Sequence, residues 1–125
     1  MRPAVKRFWI AFPIVFAVMA LAVLPLCGLM FQCGCTILTG DAHCNMHDRG
    51  VPHCPWCTGG IALQGSHFGA MLWAAVLGTV YGARRGAVWK GAVGGVAAFA
   101  AVAIIGGLFV CLATGYPVWF GIRLK

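Results

Sequence analysis

The sequence predicts an all-α membrane protein: three transmembrane helices and, between the first two, an irregular extracytoplasmic loop rich in cysteine and histidine. Composition is the first ground for this, since 62% of the 125 residues are apolar and only 9% are charged, against about 25% charged in an ordinary soluble domain. Spacing is the second. The apolar residues fall in runs near 8–31, 61–83 and 91–114, each of the roughly 20 residues that a helix needs to cross a hydrocarbon core. Charge placement is the third, because the nine basic residues flank those runs instead of forming a basic face with interleaved aromatics. The net charge of +7 is therefore read as a topology signal, and no nucleic-acid partner is expected.

The first span, Phe8 to Phe31, contains no charge, and Pro13 and Pro25 should bend it near its ends. Its basic flank also gives the amino terminus the outline of a secretory signal, with Leu24-Pro25-Leu26-Cys27 as a lipoprotein cleavage box. Leu26 is too bulky for the position before such a cysteine, so the segment is read as a retained span. The second span opens with Gln64, Ser66 and His67 before turning wholly apolar. At this length the three spans form a single domain, 1–125. Arg2, Lys6 and Arg7 precede the first span, and Arg84, Arg85 and Lys90 join the second to the third. The loop 32–60 has only Arg49 against Asp41 and Asp48. Positive flanks mark the cytoplasmic side, which places the amino terminus and the 83–90 turn inside, in an inner membrane, and the cysteine-histidine loop outside. The tail from Tyr116 to Lys125 is then expected outside, with Tyr116 and Trp119 at the interface and Arg123 and Lys125 opposing the rule.

Small residues recur at helical spacing in Gly78-x3-Gly82 and Gly91-x3-Gly95, with Gly94, Gly106 and Gly107 besides. Such faces let helix backbones approach closely in lipid, either among these three spans or against other membrane subunits, which with the bilayer are the expected partners.

The loop is broken by Gly34, Gly40, Gly50, Pro52, Pro55 and Gly59-Gly60, so no long helix fits and no core can form within it. Units without a core are commonly held by metal or disulfides. Cys44-x2-His47 and Cys54-x2-Cys57 are two chelating pairs at the spacing of a metal-binding turn. Three thiolates and an imidazole suit tetrahedral zinc, and a thiolate-rich set also suits copper as the cuprous ion. Cys33, Cys35, His43, His53 and His67 are the additional candidate ligands, His67 because an ionisable group at the start of a span is expensive unless it is partnered. His-Cys-x2-Cys is the wrong order for haem attachment.

Two other readings use the same residues. A Cys-x2-Cys just before a helix start is the arrangement of a reactive thiol pair, and loop cysteines above such a pair are similar to those of quinone-linked thiol oxidases and vitamin K epoxide reductases, which use a four-helix bundle where three spans are expected here. Alternatively the loop is stapled by disulfides without metal. Cys27 and Cys111 lie near the outer ends of the first and third spans and form a candidate bridge, which leaves an odd number of cysteines in the loop.

Cys35-Thr36-Ile37-Leu38-Thr39-Gly40, followed by Cys54-Pro55-x-Cys57 and an apolar helix with glycines, resembles a family of small bacterial membrane proteins in which a Thr-Gly pair and a Cys-Pro-x-Cys-Gly turn lie between two spans. The resemblance covers residues 27–80, with His43, Cys44 and His47 additional here and Thr58 where the family has glycine. It implies a cysteine turn at the membrane edge and no activity. Apart from Asp41 and Asp48 there is no carboxylate for acid–base work, and no phosphate-binding loop. The expected role is an accessory or structural subunit of a larger membrane complex, or a metal-handling component.

Overall fold

A computed structural model describes residues 2–36, 38, 43–58 and 60–124, apart from the side chains of residues 46, 58 and 60–66. The Thr39-Gly40 pair and Asp41 therefore lie outside the described residues, as do the side chains of Gln64 and Ser66. Helices α1 (Pro3–Phe31), α3 (Gly60–Arg84) and α4 (Val88–Thr114) account for most of the chain, with a one-turn helix α2 at Pro55–Thr58. A 3-10 turn, Asn45–His47, is the other regular piece described between α1 and α2, as the density of breakers in that loop requires.

The long helices match the apolar runs to within a few residues at each end. Pro3 opens α1, where its missing N–H would have had no helical partner, and the helix continues unbroken through Pro13 and Pro25. Gly86, at φ +101°, and the bonds from the Arg85 N–H to Gly82 and the Gly86 N–H to Ala83 turn the chain from α3 into α4. Helix α4 ends in a glycine cap: Gly115 takes φ +69° and the Tyr116 N–H donates to the Cys111 carbonyl at 3.0 Å, the pairing that closes a helix on a left-handed residue. Among the described residues, α1 and α4 are long and apolar enough to cross a membrane, with only 22% and 28% of their most apolar windows buried.

The chain divides into two compact units, and each long helix contributes a segment to both. The first unit comprises Met1–Ala20 and Phe68–Ala103. Its core is made of small residues, Ala11, Ala75, Thr79, Ala83 and Ala103, with Val15, Met71 and Phe99, while Trp9, Phe16, Trp73 and Leu77 point outward. Gly78 lies against the Gly94 carbonyl and Gly82 against the Lys90 carbonyl, and Gly95 faces the Thr79 hydroxyl and Val15. These glycines thus bring this chain's own helices together. Thr79, fully buried, donates to the Ala75 carbonyl at 2.7 Å, which satisfies its hydroxyl within its own helix.

The second unit comprises Leu21–His67 and Ile104–Lys125 and contains all seven cysteines and all four histidines. Around Phe31 the rings of Trp56 and Tyr116 pack edge-on at 5.3 and 5.8 Å. Gly106 leaves room for the His67 ring and Gly107 for Met30. The tail forms a hairpin that the all-helical expectation did not include, with β1 (Val118–Trp119) pairing antiparallel with β2 (Ile122–Arg123). Phe120 and Gly121 make its two-residue turn at φ +48° and +77°, both positive as the twist of a tight hairpin demands. The hairpin then closes the end of α1, where the Phe120 N–H donates to the Met30 carbonyl at 2.7 Å and the Tyr116 hydroxyl to the Phe31 carbonyl at 2.8 Å.

Candidate metal centre

Three backbone features fold the end of α1 back on itself. Gln32 takes a left-handed conformation, φ +50°, directly after the last helical residue, and Gly34 follows at φ +85°. Such angles cost an L-residue about 1–2 kcal/mol and a glycine almost nothing. Gly28 supplies the landing place: a Cβ there would lie 2.5 Å from the Cys35 carbonyl oxygen. The chain thus leaves α1, reverses, and sets Cys33 and Cys35 beside Cys27.

Asn45 then ties the next piece of loop to the first. Its backbone N–H donates to the Cys33 carbonyl at 2.8 Å. Its side-chain oxygen accepts from the Cys54 N–H, and its amide donates to the Pro52 carbonyl and the Tyr116 hydroxyl, each at 2.9 Å. Burial pushes the Tyr116 hydroxyl up to about 12, so it remains a donor to Phe31 while accepting from Asn45. Pro55 starts α2 immediately after Cys54, and this single turn presents Cys57, whose N–H donates to the Cys54 carbonyl at 3.0 Å.

Six sulfurs converge as a result. Cys27 lies 3.3 Å from Cys33 and 3.5 Å from Cys54, and Cys57 lies 3.3 Å from Cys44 and 3.6 Å from Cys35. The sulfurs of Cys27, Cys33, Cys35 and Cys57 all fall within 4.8 Å of one another, near enough to hold a metal ion. Five of the six residues are buried, and Cys57 is half-buried. Thiol donation from Cys27 and then Cys54 holds Cys33 well below the usual thiol range, while burial and the neighbouring Cys44 push Cys35 above it. A bound cation would relieve the crowding of these sulfurs.

Of the residues singled out by spacing, Cys44, Cys54 and Cys57 are in this cluster. His47 is exposed and, with His43, Cys33 and Cys44, lines an open polar cleft of about 550 Å³. Cys33 and Cys35, expected as additional ligands, lie in the four-sulfur group itself. The exposed His53 ring bonds to the Asp48 carbonyl at 2.8 Å, and His67 packs on Trp56 with ring centres 5.2 Å apart. The candidate Cys27–Cys111 bridge is not formed: no disulfide is present among the described residues, Cys27 faces Cys33 and Cys54, and the Cys111 thiol points to the Val118 carbonyl at 3.5 Å. The helix turn that presents Cys111 directs it to the hairpin, a partner that sequence distance along the spans did not suggest.

Sequence reasoning missed Cys27 as a member of the cluster and Asn45 altogether, and it read Tyr116 as an interfacial residue without its bonds to Asn45 and Phe31. An asparagine between Cys44 and His47 reads as one more polar loop residue, and its bonds to Cys33, Pro52, Cys54 and Tyr116 join segments up to 71 positions apart. No protein-family model, curated protein or solved structure matches the chain.

Proposed function

We propose that the protein is a small integral membrane protein that binds a thiophilic metal ion, zinc or cuprous copper, at a cysteine centre held over the ends of its helices. The observation that supports this most directly is the convergence of Cys27, Cys33, Cys35 and Cys57 within 4.8 Å. Thiolate-only shells are closed structural sets, and soft sulfur donors favour zinc and cuprous copper over hard cations. Cys44 and Cys54 adjoin this set, and His47 stands at the cleft beside Cys44, where it would take part in loading.

Insertion through α1, α3 and α4 accounts for the outward apolar side chains, among them Trp9, Leu29, Trp73, Ile105 and Phe109, each more than half exposed. Arg2, Lys6, Arg7, Arg84, Arg85 and Lys90 lie at the start of α1 and around the turn from α3 to α4, and the loop between α1 and α3 has only Arg49, with both aspartates. By the positive-inside rule the cysteine centre faces away from the cytoplasm. A closed thiolate centre favours a structural or metal-handling role beside other membrane subunits.

Elemental analysis of detergent-purified, reduced protein, combined with a free-thiol count, tests the reading. Bound zinc or copper lost on replacing Cys33 or Cys57 with Ser supports it, and metal-free protein that fails to take up either ion defeats it. The same assay separates a second reading, thiol–disulfide exchange by Cys54-Pro55-Trp56-Cys57, which is favoured by the position of Pro55 and Cys57 in one helical turn. In that case metal is absent, and thiols are consumed as a quinone is reduced.

A further inference from the structure

One tetrahedral ion uses four sulfurs, and this cluster has six. The two outside the closest group are in van der Waals contact with sulfurs inside it: Cys54 lies 3.5 Å from Cys27, and Cys44 lies 3.3 Å from Cys57. Both are buried, at 0% and 3% exposure. Zinc–sulfur bonds of about 2.3 Å set the edge of a filled tetrahedron at about 3.8 Å, so sulfurs 3.3–3.6 Å apart already stand close to the spacing of shared ligands.

The contacts resolve into two groups with a common edge. Cys27, Cys33, Cys54 and Cys57 form one: Cys27 lies 3.3 Å from Cys33, 3.5 Å from Cys54 and within 4.8 Å of Cys57. Cys35, Cys44, Cys33 and Cys57 form the other: Cys57 lies 3.6 Å from Cys35 and 3.3 Å from Cys44, and Cys33 lies within 4.8 Å of both Cys35 and Cys57. Cys33 and Cys57 belong to both. The four sulfurs of Cys27, Cys33, Cys35 and Cys57, within 4.8 Å of one another, comprise this common pair and one sulfur from each side.

We infer that the centre holds two metal ions, bridged by the thiolates of Cys33 and Cys57, with Cys27 and Cys54 completing one coordination shell and Cys35 and Cys44 the other. This rests on the metal-binding reading above and extends it to the nuclearity and the bridging ligands. Charge favours the arrangement. Six thiolates around one divalent ion would leave a net charge of about −4 in a buried site, and two ions reduce it to about −2, which lowers the desolvation cost.

The test uses the full chain in detergent, reduced and reconstituted with zinc and, separately, with cadmium. About two equivalents of zinc per chain are expected, falling to about one in Cys44→Ser and in Cys54→Ser, and below one in Cys57→Ser. In the cadmium-loaded wild type, NMR should show two cadmium resonances coupled to each other, because coupling passes through shared sulfur; this readout does not depend on any variant folding. A single equivalent unaffected by Cys44→Ser, or two uncoupled resonances, overturns the bridged pair and leaves the metal-binding reading standing. No uptake of either ion overturns both.

Discussion

Asn45→Ala isolates what the protein does to gather its sulfurs. The side chain makes three hydrogen bonds of 2.9 Å, to Cys54, Pro52 and Tyr116. At a net value of about 1 kcal/mol each, with the solvent-exposed Pro52 bond counted at about half, their loss costs about 2.5 kcal/mol. That free energy acts on local opening of the loop, because two of the three bonds lie within the loop and the third ties it to the residue that caps α4. At 1.4 kcal/mol per tenfold, the open fraction should rise on the order of 60-fold. The assay is the alkylation rate of the cluster thiols in reduced, metal-free protein, which follows the open fraction when reclosing is fast. Tyr116→Phe should also accelerate alkylation, and the double variant should fall short of the sum, since both single changes remove the same Asn45–Tyr116 bond. An Asn45→Ala rate within about threefold of wild type would refute the view that this side chain organises the site.

Four further outcomes follow from the geometry. Gly28→Ala places a methyl group 2.5 Å from the Cys35 carbonyl oxygen, where only backbone can give way, so a loss of about 1–3 kcal/mol and weaker metal retention are expected; unchanged retention by elemental analysis would contradict the close approach. Cys111→Ser should lower the free-thiol count by one and leave metal content unaltered, because Cys111 faces Val118 and not the cluster. Gly78→Val forces a branched side chain against the Gly94 carbonyl, within the unit that has no cysteines, and should lower the unfolding midpoint in detergent, by about 1–3 kcal/mol or more of stability, with the metal ratio at low temperature unchanged. Finally, the raised Cys35 thiol must lose its proton to bind metal whereas the depressed Cys33 need not; zinc affinity should therefore rise by about tenfold per pH unit for each proton released across neutral pH, as read by competition with a chelator, and a flat profile would argue against Cys35 as a ligand.

The long helices and the identity of the polar loop were legible in the sequence because they depend on local composition. Twenty apolar residues without a charge make a helix of membrane length wherever they occur, and Gly-Pro punctuation ends it; the helices at Pro3–Phe31, Gly60–Arg84 and Val88–Thr114 lie over the apolar runs accordingly. Spacing likewise marked Cys44, Cys54 and Cys57, since ligands three apart on a turn converge without help from the rest of the chain. Which other sulfurs meet them depended on long-range geometry. Cys27 sits inside an apolar run and looks like a small core residue until Gln32 and Gly34 reverse the chain and Gly28 admits Cys35 beside it. The hairpin at 118–123, the bonds from Asn45 across to Tyr116 and the turn of Cys111 toward Val118 join residues that are remote in sequence or separated by a cap. Periodicity and composition report what a segment prefers by itself, whereas a shared site is fixed by where separate backbones come within hydrogen-bonding distance, and that is set only when the chain has packed.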